Sequence, residues 1–420
     1  MNVLIINTNN DKGGAAIAAN RLMQALNKNG ILANMLVLKS SQPNTQVASV
    51  ETSITVKFLI RFRFLWERLV IFFNNGFSRK NLFRVSIANT GFDLSKHPLV
   101  KQADVLHLHW INQGFLSLKS IDKLTKLNKP IIWTLHDMWA CTGICHHARD
   151  CEKYTTKCYA CFYLKSQSSN DLAARVFNRK KKIYTSSIAI VTCSNWLKKK
   201  VQNSNLLKNS FTVSIPNPIN TQIYRYLDKN ICRTSFNLPL NKKLLLFGAE
   251  NSTDDRKGLS YFLEALEFVR QHHQNLFEQI EIVIFGKMKQ QIEQRIITPV
   301  HVLGYLTVEE KIVQLYNAVD AFVISSLDEN LPNTIMEAMA CGTPCVGFNT
   351  GGISEMIDNK QNGYVAEYKN AEDLAHGIHW VLYEADYCRL SENVRKKAES
   401  TYNEDIVANQ YIELYKNLLI

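Results

Sequence analysis

Two carboxylates, Glu329 and Glu337, flank a predicted helix start and could bind hydroxyl groups of one ligand. The apolar run Ala321–Ile324 predicts a buried strand before them, and Pro332 suits the first turn of a helix. The helix is predicted over Asn333–Ala340, and backbone N–H groups at its start can bind an anion. For either glutamate alone, the alternative is an acidic helix start that balances the helix dipole. Strand, acidic loop and helix together predict a ligand-binding edge of a parallel sheet.

Two further loops carry residue types that suit a phosphorylated ligand. Arg256 and Lys257 follow a predicted strand and precede Gly258, where cations can neutralise a diphosphate whose charge grows as a bond breaks. Gly13 and Gly14 follow the first predicted strand, and glycine lets the backbone approach a phosphate or a sugar closely. A charged turn and a tight strand-to-helix turn without a ligand are the alternatives for these two loops.

Histidines stand at the ends of two predicted strands, and cysteines cluster after the second of them. His107 and His109 end one strand and His136 the other, where a single histidine is more often structural than catalytic. The cluster ends in a C-x2-C pair and comprises Cys145, Cys151, Cys158 and Cys161. Four cysteines so close together favour a structural zinc ion with tetrahedral thiolate ligands, while disulfides or free thiols remain open.

The elements that must position these residues form two series of alternating strands and helices, separated at Pro216–Pro218. This pattern predicts an α/β protein with two doubly wound Rossmann-like domains that face each other across a cleft. The expected boundaries are an N-terminal domain over 1–218, a linker over 219–241 and a C-terminal domain over 242–402. A terminal helix over 403–420 is expected to pack back on the N-terminal domain.

The net charge and the distribution of apolar residues limit the partners and the location that can be expected for this protein. The 420 residues include 49 Lys and Arg against 37 Asp and Glu, a formal net charge of +12. This excess suits phosphorylated substrates or an anionic membrane surface. No nucleic-acid-binding signature accompanies it, so a nucleic-acid partner is not expected. The sequence contains no long uncharged apolar run, so no membrane-spanning helix is expected. The first residues have the pattern of a β-strand rather than that of a signal peptide. A cytoplasmic location with reduced cysteines is therefore expected.

In the segment Ile54–Phe73, four cations alternate with aromatic residues. The cations are Lys57, Arg61, Arg63 and Arg68, and the aromatic residues include Phe58, Phe62, Phe64, Trp66 and Phe72. An interfacial amphipathic helix has this composition, with cations near lipid head groups and aromatic rings at the acyl boundary. The expected consequence is peripheral binding at the inner face of the cell membrane. The alternative is a buried helix whose charged side chains extend to solvent.

The arrangement E-x7-E followed by A-x-A-C-G-T-P resembles the C-terminal signature of retaining glycosyltransferases of family 4. The loop at Arg256–Gly258 and the run Gly351–Glu355 resemble further elements of that family. The sequence departs from the family at Leu331-Pro332, where many members have Phe-Gly, and at Ala249, where many have arginine. The resemblance covers nearly the whole chain and implies the two-domain B-type fold.

The resemblance also implies roles for single residues. Gly13 and Gly14 would approach a nucleotide-sugar donor, and Arg256 and Lys257 would stabilise its leaving diphosphate. Backbone N–H groups of Asn333 and Thr334 would bind that diphosphate. Glu337 would bind the ribose, Glu329 the transferred sugar, and His136 the same sugar from the other domain.

The implied reaction is transfer of a sugar to a hydroxyl acceptor with retention of configuration. The acceptor would be a saccharide or lipid-linked saccharide in the assembly of capsule, exopolysaccharide or O-antigen. No D-x-D triplet occurs, which fits chemistry without a metal cofactor; a Cys-rich loop occurs in a polysaccharide-assembling subset of the family. The alternatives are a sugar-nucleotide epimerase of the same fold and a non-catalytic scaffold in polysaccharide assembly.

Overall fold

Alternating apolar strands and amphipathic helices build two separate parallel sheets. The computed structural model describes residues 1–40, 45–184, 188–251, 254–287 and 295–419. It divides into two units: unit 1 comprises Met1–Pro218 with Val407–Ile420, and unit 2 comprises Ile219–Ile406. The segment expected to be a linker, 219–241, thus lies in unit 2. No helix among the described ranges is long and apolar enough to cross a membrane.

The sheet of unit 1 has seven strands in the order β3-β2-β1-β4-β5-β6-β7. All the registered pairs are parallel, and β4, β5 and β6 are buried along their whole length, as expected for a sheet covered on both faces. The strands are β1 (Asn2–Asn7), β2 (Leu32–Val37), β3 (Val47–Ser49), β4 (Val105–Leu108), β5 (Ile131–Leu135), β6 (Ile188–Thr192) and β7 (Thr212–Ser214).

Helices cover both faces of this sheet and enclose two apolar clusters. They are α1 (Gly14–Lys28), α2 (Ile54–Asn74), α3 (Pro98–Gln102), α4 (Leu118–Thr125), α5 (Leu172–Ile183) and α6 (Asn195–Asn203). A short 3-10 turn spans Lys153–Thr155. The end of helix α15 (Glu404–Leu419) also belongs to unit 1. There Tyr415 hydrogen-bonds His107 and Tyr411 hydrogen-bonds Thr134, so α15 packs on the sheet beneath the strand ends.

Unit 2 has a six-stranded parallel sheet in the order β10-β9-β8-β11-β12-β13. The strands are β8 (Lys243–Asn251), β9 (Ile280–Lys287), β10 (Val300–Val302), β11 (Ala321–Ile324), β12 (Cys345–Phe348) and β13 (Gly363–Ala366). The helices are α7 (Lys229–Ser235), α8 (Leu259–His272), α9 (Gln274–Phe277), α10 (Glu309–Ala318), α11 (Asn333–Ala340), α12 (Ile353–Met356), α13 (Ala371–His379) and α14 (Tyr387–Lys397). A 3-10 turn spans Asp255–Lys257, and π-helical turns span Trp380–Glu384 and Ala398–Tyr402.

Both strand orders follow the Rossmann pattern, in which the first strand of a unit lies between the second and the fourth. The prediction of two doubly wound Rossmann-like domains is therefore confirmed. The strand β11 and the helix α11 have the bounds that the sequence predicted.

Candidate active site

Four of the loops with chemically suited residues leave the sheets at the points where strand order reverses. In unit 1 these are the loops after β1 and β4, and in unit 2 the loops after β8 and β11. Ligands of doubly wound sheets bind outside the carboxyl ends of the strands at such switch points. Gly13 and His109 lie in the first pair of loops, and Lys257 and Glu329 in the second. Each unit therefore offers one candidate ligand-binding edge.

The turn that carries Arg256 and Lys257 is fixed by backbone contacts. Gly258 ends it with a φ of 63°, and a β-carbon there would lie 1.8 Å from the carbonyl oxygen of Ser325. The Ser325 hydroxyl donates to the Lys257 carbonyl over 3.0 Å, and the Leu327 N–H donates to the Arg256 carbonyl over 2.7 Å. Only glycine fits at position 258, and the turn is held against the loop after β11.

Both cations of this turn already contact carboxylates. Lys257 Nζ forms an ion pair with Glu329, a residue of the neighbouring loop. The Arg256 guanidinium binds Asp254, with Nη2 and Oδ2 2.5 Å apart. Burial alone would lower the pKa of Arg256, but the Asp254 hydrogen bond and the charges of Asp254, Glu329 and Asp328 raise it. Cations and carboxylates thus form one partly buried charged group at the β8/β11 switch point.

Glu329 is itself positioned by the Gly-Gly element after β12. The Gly352 N–H donates to the Glu329 carbonyl over 3.1 Å. Gly351 has a φ of 58°, and a β-carbon there would lie 1.7 Å from the same carbonyl oxygen. The glycine pair therefore lets two loops approach closely and holds the Glu329 backbone in place.

Glu337 lies inside α11 and is buried, with a 7% exposed surface. Its Oε2 accepts a hydrogen bond from the Tyr316 hydroxyl over 3.1 Å. Burial and the Glu337 charge raise the pKa of Tyr316 well above its ordinary value, so the phenol stays a donor. Asn333 and Thr334 begin the same helix and are half-buried. Sequence reasoning missed Tyr316, because only the fold brings α10 to α11.

In unit 1, the loop after β1 meets α1 at Gly13, which caps the helix with a φ of 88°. No atom lies within 4 Å of the place where a β-carbon would be. Glycine is therefore favoured there by its backbone conformation rather than by lack of space. Gly14 begins α1 and is exposed.

His109 and His136 meet at the ends of β4 and β5, where His109 Nδ1 lies 2.9 Å from His136 Nε2. The other ring nitrogen of His136 lies 3.6 Å from the thiol of Cys193. Burial lowers the pKa of His136 to about 4 and that of His109 well below its ordinary value. Burial therefore favours the neutral form of both rings. His107 instead has a structural place between Tyr415 and Thr134.

Three buried polar atoms in these loops have no hydrogen-bond partner among the residues that the structure describes: Asn10 Oδ1, His109 Nε2 and Asn112 Nδ2. They follow β1 or β4, and the Thr8 hydroxyl joins the two loops by donating to the Asn112 carbonyl over 3.1 Å. A buried polar atom without a partner costs about 1–3 kcal/mol, and a polar ligand would remove that cost. Asn10 and Asn112 are thus further candidate binding residues, which single-residue motifs in the sequence did not indicate.

Asp137 stabilises the loops at this edge of the sheet through contacts with their own residues. Its carboxylate accepts hydrogen bonds from Trp110 Nε1 over 2.9 Å and from the Trp139 N–H over 2.8 Å. The same carboxylate lies 2.7 Å from His146 Nδ1. Burial alone would raise the pKa of Asp137, but the interaction with His146, the hydrogen bond from the Trp139 N–H and the nearby His147 lower it. His146 therefore stabilises the loop through its contact with Asp137.

None of the four cysteines of the predicted zinc site forms a disulfide in this structure. Burial raises the pKa of Cys145, and the nearby thiols of Cys161, Cys158 and Cys151 raise it further, which places the four in one region. Within the described ranges, however, no group of three or more His, Cys, Asp or Glu side chains is arranged to hold a metal ion. The side-chain geometry thus gives no support to zinc, which stays a prediction from cysteine spacing.

Elemental analysis of the purified protein decides the question of zinc. The prediction expects about one zinc ion per chain. Cys158→Ser should lose that ion and lower the unfolding temperature, whereas Cys388→Ser, at an exposed cysteine far along the chain, should change neither. A metal-free and fully stable wild-type protein would refute the prediction.

Two family models together match most of the chain. The model described as Glycosyltransferase Family 4 matches residues 12–223, and the model described as Glycosyl transferases group 1 matches residues 228–401. The boundary between the two matches falls close to the boundary between units 1 and 2.

Curated relatives carry glycosyltransferase names. One from Escherichia coli K12, whose name assigns it to colanic acid biosynthesis, is 22% identical over 75% of this chain and 76% of its own length. A Campylobacter jejuni N-acetylgalactosaminyltransferase that acts on a diphospho-undecaprenol sugar is 36% identical over 27% of this chain and 31% of its own length. The second match is thus confined to about a third of that relative.

Solved glycosyltransferases share the fold over the whole chain. Sucrose-phosphate synthase from Thermosynechococcus elongatus has a TM-score of 0.67 at 17% identity, covering 99% of this chain and 98% of its own. Anabaena HepE in complex with UDP-glucose has a TM-score of 0.65 at 15% identity, covering 99% and 100%. Family matches, strand order and structural likeness agree, and the chain belongs to glycosyltransferase family 4, with the B-type fold.

Proposed function

We propose that the protein is a retaining glycosyltransferase that moves a sugar from a nucleotide-sugar donor to a hydroxyl group of a growing glycan. The observation that carries the proposal is the charged group at the β8/β11 switch point, where Lys257 and Arg256 stand beside Glu329. When a donor binds, the cations of this group can bind the diphosphate in place of the carboxylates, and the released carboxylate can bind sugar hydroxyls. The UDP-glucose complex of the Anabaena relative supports a nucleotide-sugar donor.

In this proposal the donor diphosphate binds Lys257, Arg256 and the start of α11 at Asn333 and Thr334. The cations and the positive end of the helix dipole stabilise the charge that develops on the leaving phosphate, so this charge needs no metal ion. Release of Glu329 from Lys257 frees its carboxylate to accept hydrogen bonds from the transferred sugar. Glu337, oriented by Tyr316, accepts hydrogen bonds from the ribose hydroxyls.

We propose that the pair His109–His136 and the glycines at the start of α1 form the ligand-binding edge of unit 1. Both ring nitrogens of His136 already have neighbours, whereas His109 Nε2 has no hydrogen-bond partner in the described ranges of the chain. We therefore assign the polar contact with the sugar to the pair, with His136 positioning His109. Retention follows if the acceptor attacks from the face that the phosphate leaves, and the phosphate takes the acceptor proton.

The names of the relatives support a role in polysaccharide assembly. Colanic acid is the product named for the Escherichia coli relative, and a diphosphoundecaprenol sugar is the substrate named for two others. We propose a saccharide or lipid-linked saccharide as the acceptor, and a cytoplasmic place for the reaction.

A screen of nucleotide-sugars by thermal unfolding tests the donor class directly. A donor at 100 times its dissociation constant should stabilise the protein by about 2.7 kcal/mol. The best donor is then used for transfer or slow hydrolysis, and the anomeric configuration of the product is read by NMR. The proposal fails if no nucleotide-sugar raises the unfolding temperature and none is turned over, and retention fails if the product is inverted.

A further inference from the structure

The helix α2 (Ile54–Asn74) presents an apolar face to solvent. Its inner side is anchored by Ile60 and Ile71, which are buried in the core of unit 1. The outer face consists of side chains that are 42–68% exposed: Phe58, Phe62, Leu65, Trp66, Leu69 and Phe73. Exposed apolar patches of this extent are unusual on a soluble monomer and mark an interaction surface. The alternative of a buried helix is therefore wrong.

The segment after the helix extends this face. Phe77 and Phe83 are 67% and 72% exposed. The ring of Phe77 packs edge-on against Phe72 and Phe73, with centroids 5.7 and 5.5 Å apart. Phe83 stacks on Phe64 at 6.3 Å. These contacts hold the exposed rings in a continuous arrangement rather than as scattered residues.

The charges around the apolar face are positive. Lys57 and Arg61 lie one helical turn apart on one flank and are exposed, and Arg79 and Lys80 are exposed just beyond the helix. Glu67 is the single acidic residue between 54 and 84, and it is buried in an ion pair with Arg68. The exposed surface of this segment therefore carries no compensating carboxylate.

Two of the expected cations do not take part. Arg68 is buried and donates to the Val85 carbonyl over 2.9 Å, and Arg63 lies half-buried over the ring of Phe92 at 3.9 Å. The sequence-based expectation that both contact lipid head groups is wrong. The main source of affinity for a lipid surface is therefore insertion of the apolar side chains, assisted by the flanking lysine and arginine residues.

We propose that α2 docks this protein on an anionic phospholipid surface, with its axis in the plane of the interface. Exposed aromatic rings with flanking cations, and no exposed carboxylate within residues 54–84, match an anionic lipid interface in both polarity and charge. The helix lies on the bilayer rather than across it, in agreement with the absence of a spanning helix in the described part of the chain. This inference does not depend on the donor or on the reaction.

Co-sedimentation with vesicles tests the proposal on the full chain. Phosphatidylcholine vesicles are compared with vesicles that also contain phosphatidylglycerol, at low and at high salt. We expect binding to the anionic vesicles that weakens as salt rises. Phe58→Ser with Phe62→Ser should lower the partition coefficient about tenfold or more, because two exposed rings no longer insert. Lys57→Gln with Arg61→Gln should lower it about fivefold for each cation and reduce its salt dependence.

The control variant is Ile231→Ser with Val308→Ser, which removes two apolar side chains of unit 2 that are 70% and 58% exposed. It should sediment with vesicles like the wild type. Brominated lipid should quench tryptophan fluorescence, and Trp66→Phe should remove most of that quenching. The proposal is overturned if the wild type ignores anionic vesicles at low salt, or if the control and the Phe58/Phe62 variant lose binding equally. It is also overturned if ultracentrifugation finds a dimer that the Phe58/Phe62 variant dissociates.

Discussion

Replacing Lys257 with alanine is expected to lower kcat/KM for sugar transfer about 100-fold, as for other lost electrostatic stabilisers of a transition state. The reason is that Lys257 stands at the β8/β11 switch point, where the charge of the leaving diphosphate would develop. Glu337→Gln should have a similar effect by weakening the ribose contact, although glutamine still accepts the Tyr316 hydrogen bond. Steady-state kinetics with the donor found by thermal screening measures both effects.

The unfolding temperatures separate a functional role from a structural one. The Lys257–Glu329 pair is partly exposed, so its loss should change stability by no more than about 1 kcal/mol. Arg270→Ala is the matched control, because it removes an exposed ion pair with Glu267 in the same unit. That variant should keep both activity and stability. Normal turnover in Lys257→Ala and Glu337→Gln would rule out the proposed donor site.

Replacing Arg68 with methionine should lower the free energy of unfolding by about 3–5 kcal/mol, because it leaves the Glu67 carboxylate buried without its ion pair. Glu67 is 1% exposed and lies 2.8 Å from the Arg68 guanidinium. Its other oxygen accepts the N–H groups of Ile87 and Ala88 over 2.8 and 2.9 Å. Denaturant unfolding of the variant measures the loss.

Two further variants show whether the buried charge is the cause. Arg61→Gln, seven positions earlier on the exposed flank, should leave stability within about 0.5 kcal/mol of the wild type. Glu67→Gln with Arg68→Met removes both charges and should recover at least about 1 kcal/mol relative to Arg68→Met alone. A mild loss in Arg68→Met, with no recovery in the double variant, would contradict the structural role of the pair.

The sequence was sufficient for the sheets and for the placement of the site loops. Apolar runs such as Ala321–Ile324 are fully buried strands, and the proline and glycine around Asn333–Ala340 mark the bounds of α11. Once two strand-helix series are recognised, the rule that ligands bind at strand carboxyl ends selects the loops of Gly13, Lys257 and Glu329. The family matches and the strand orders confirm the family and the two sheets, whereas ligand binding at these loops stays a prediction.

Contacts between distant segments could not be predicted from local patterns. The pair Lys257–Glu329 joins two loops that only the neighbouring positions of β8 and β11 bring together. The inward turn of Arg68 depends on the carbonyl groups of Leu82 and Val85, which follow Arg68 in the chain by 14 and 17 residues. The unpartnered atoms of Asn10 and Asn112 become visible only when burial is known. Periodicity reports which residues share a face, but not which other segment covers it.

The return of α15 to unit 1 has a consequence for how the protein is made. Residues 407–420 complete unit 1 but leave the ribosome only after all of unit 2, Ile219–Ile406, has been synthesised. At about 5–20 residues per second, this delay is on the order of 10–40 s. During that time the face of the sheet beneath His107 and Thr134 lacks Tyr411 and Tyr415. The nascent first half therefore stays an incomplete domain during this time. Its exposed apolar surface makes it a natural substrate for chaperones that act during translation.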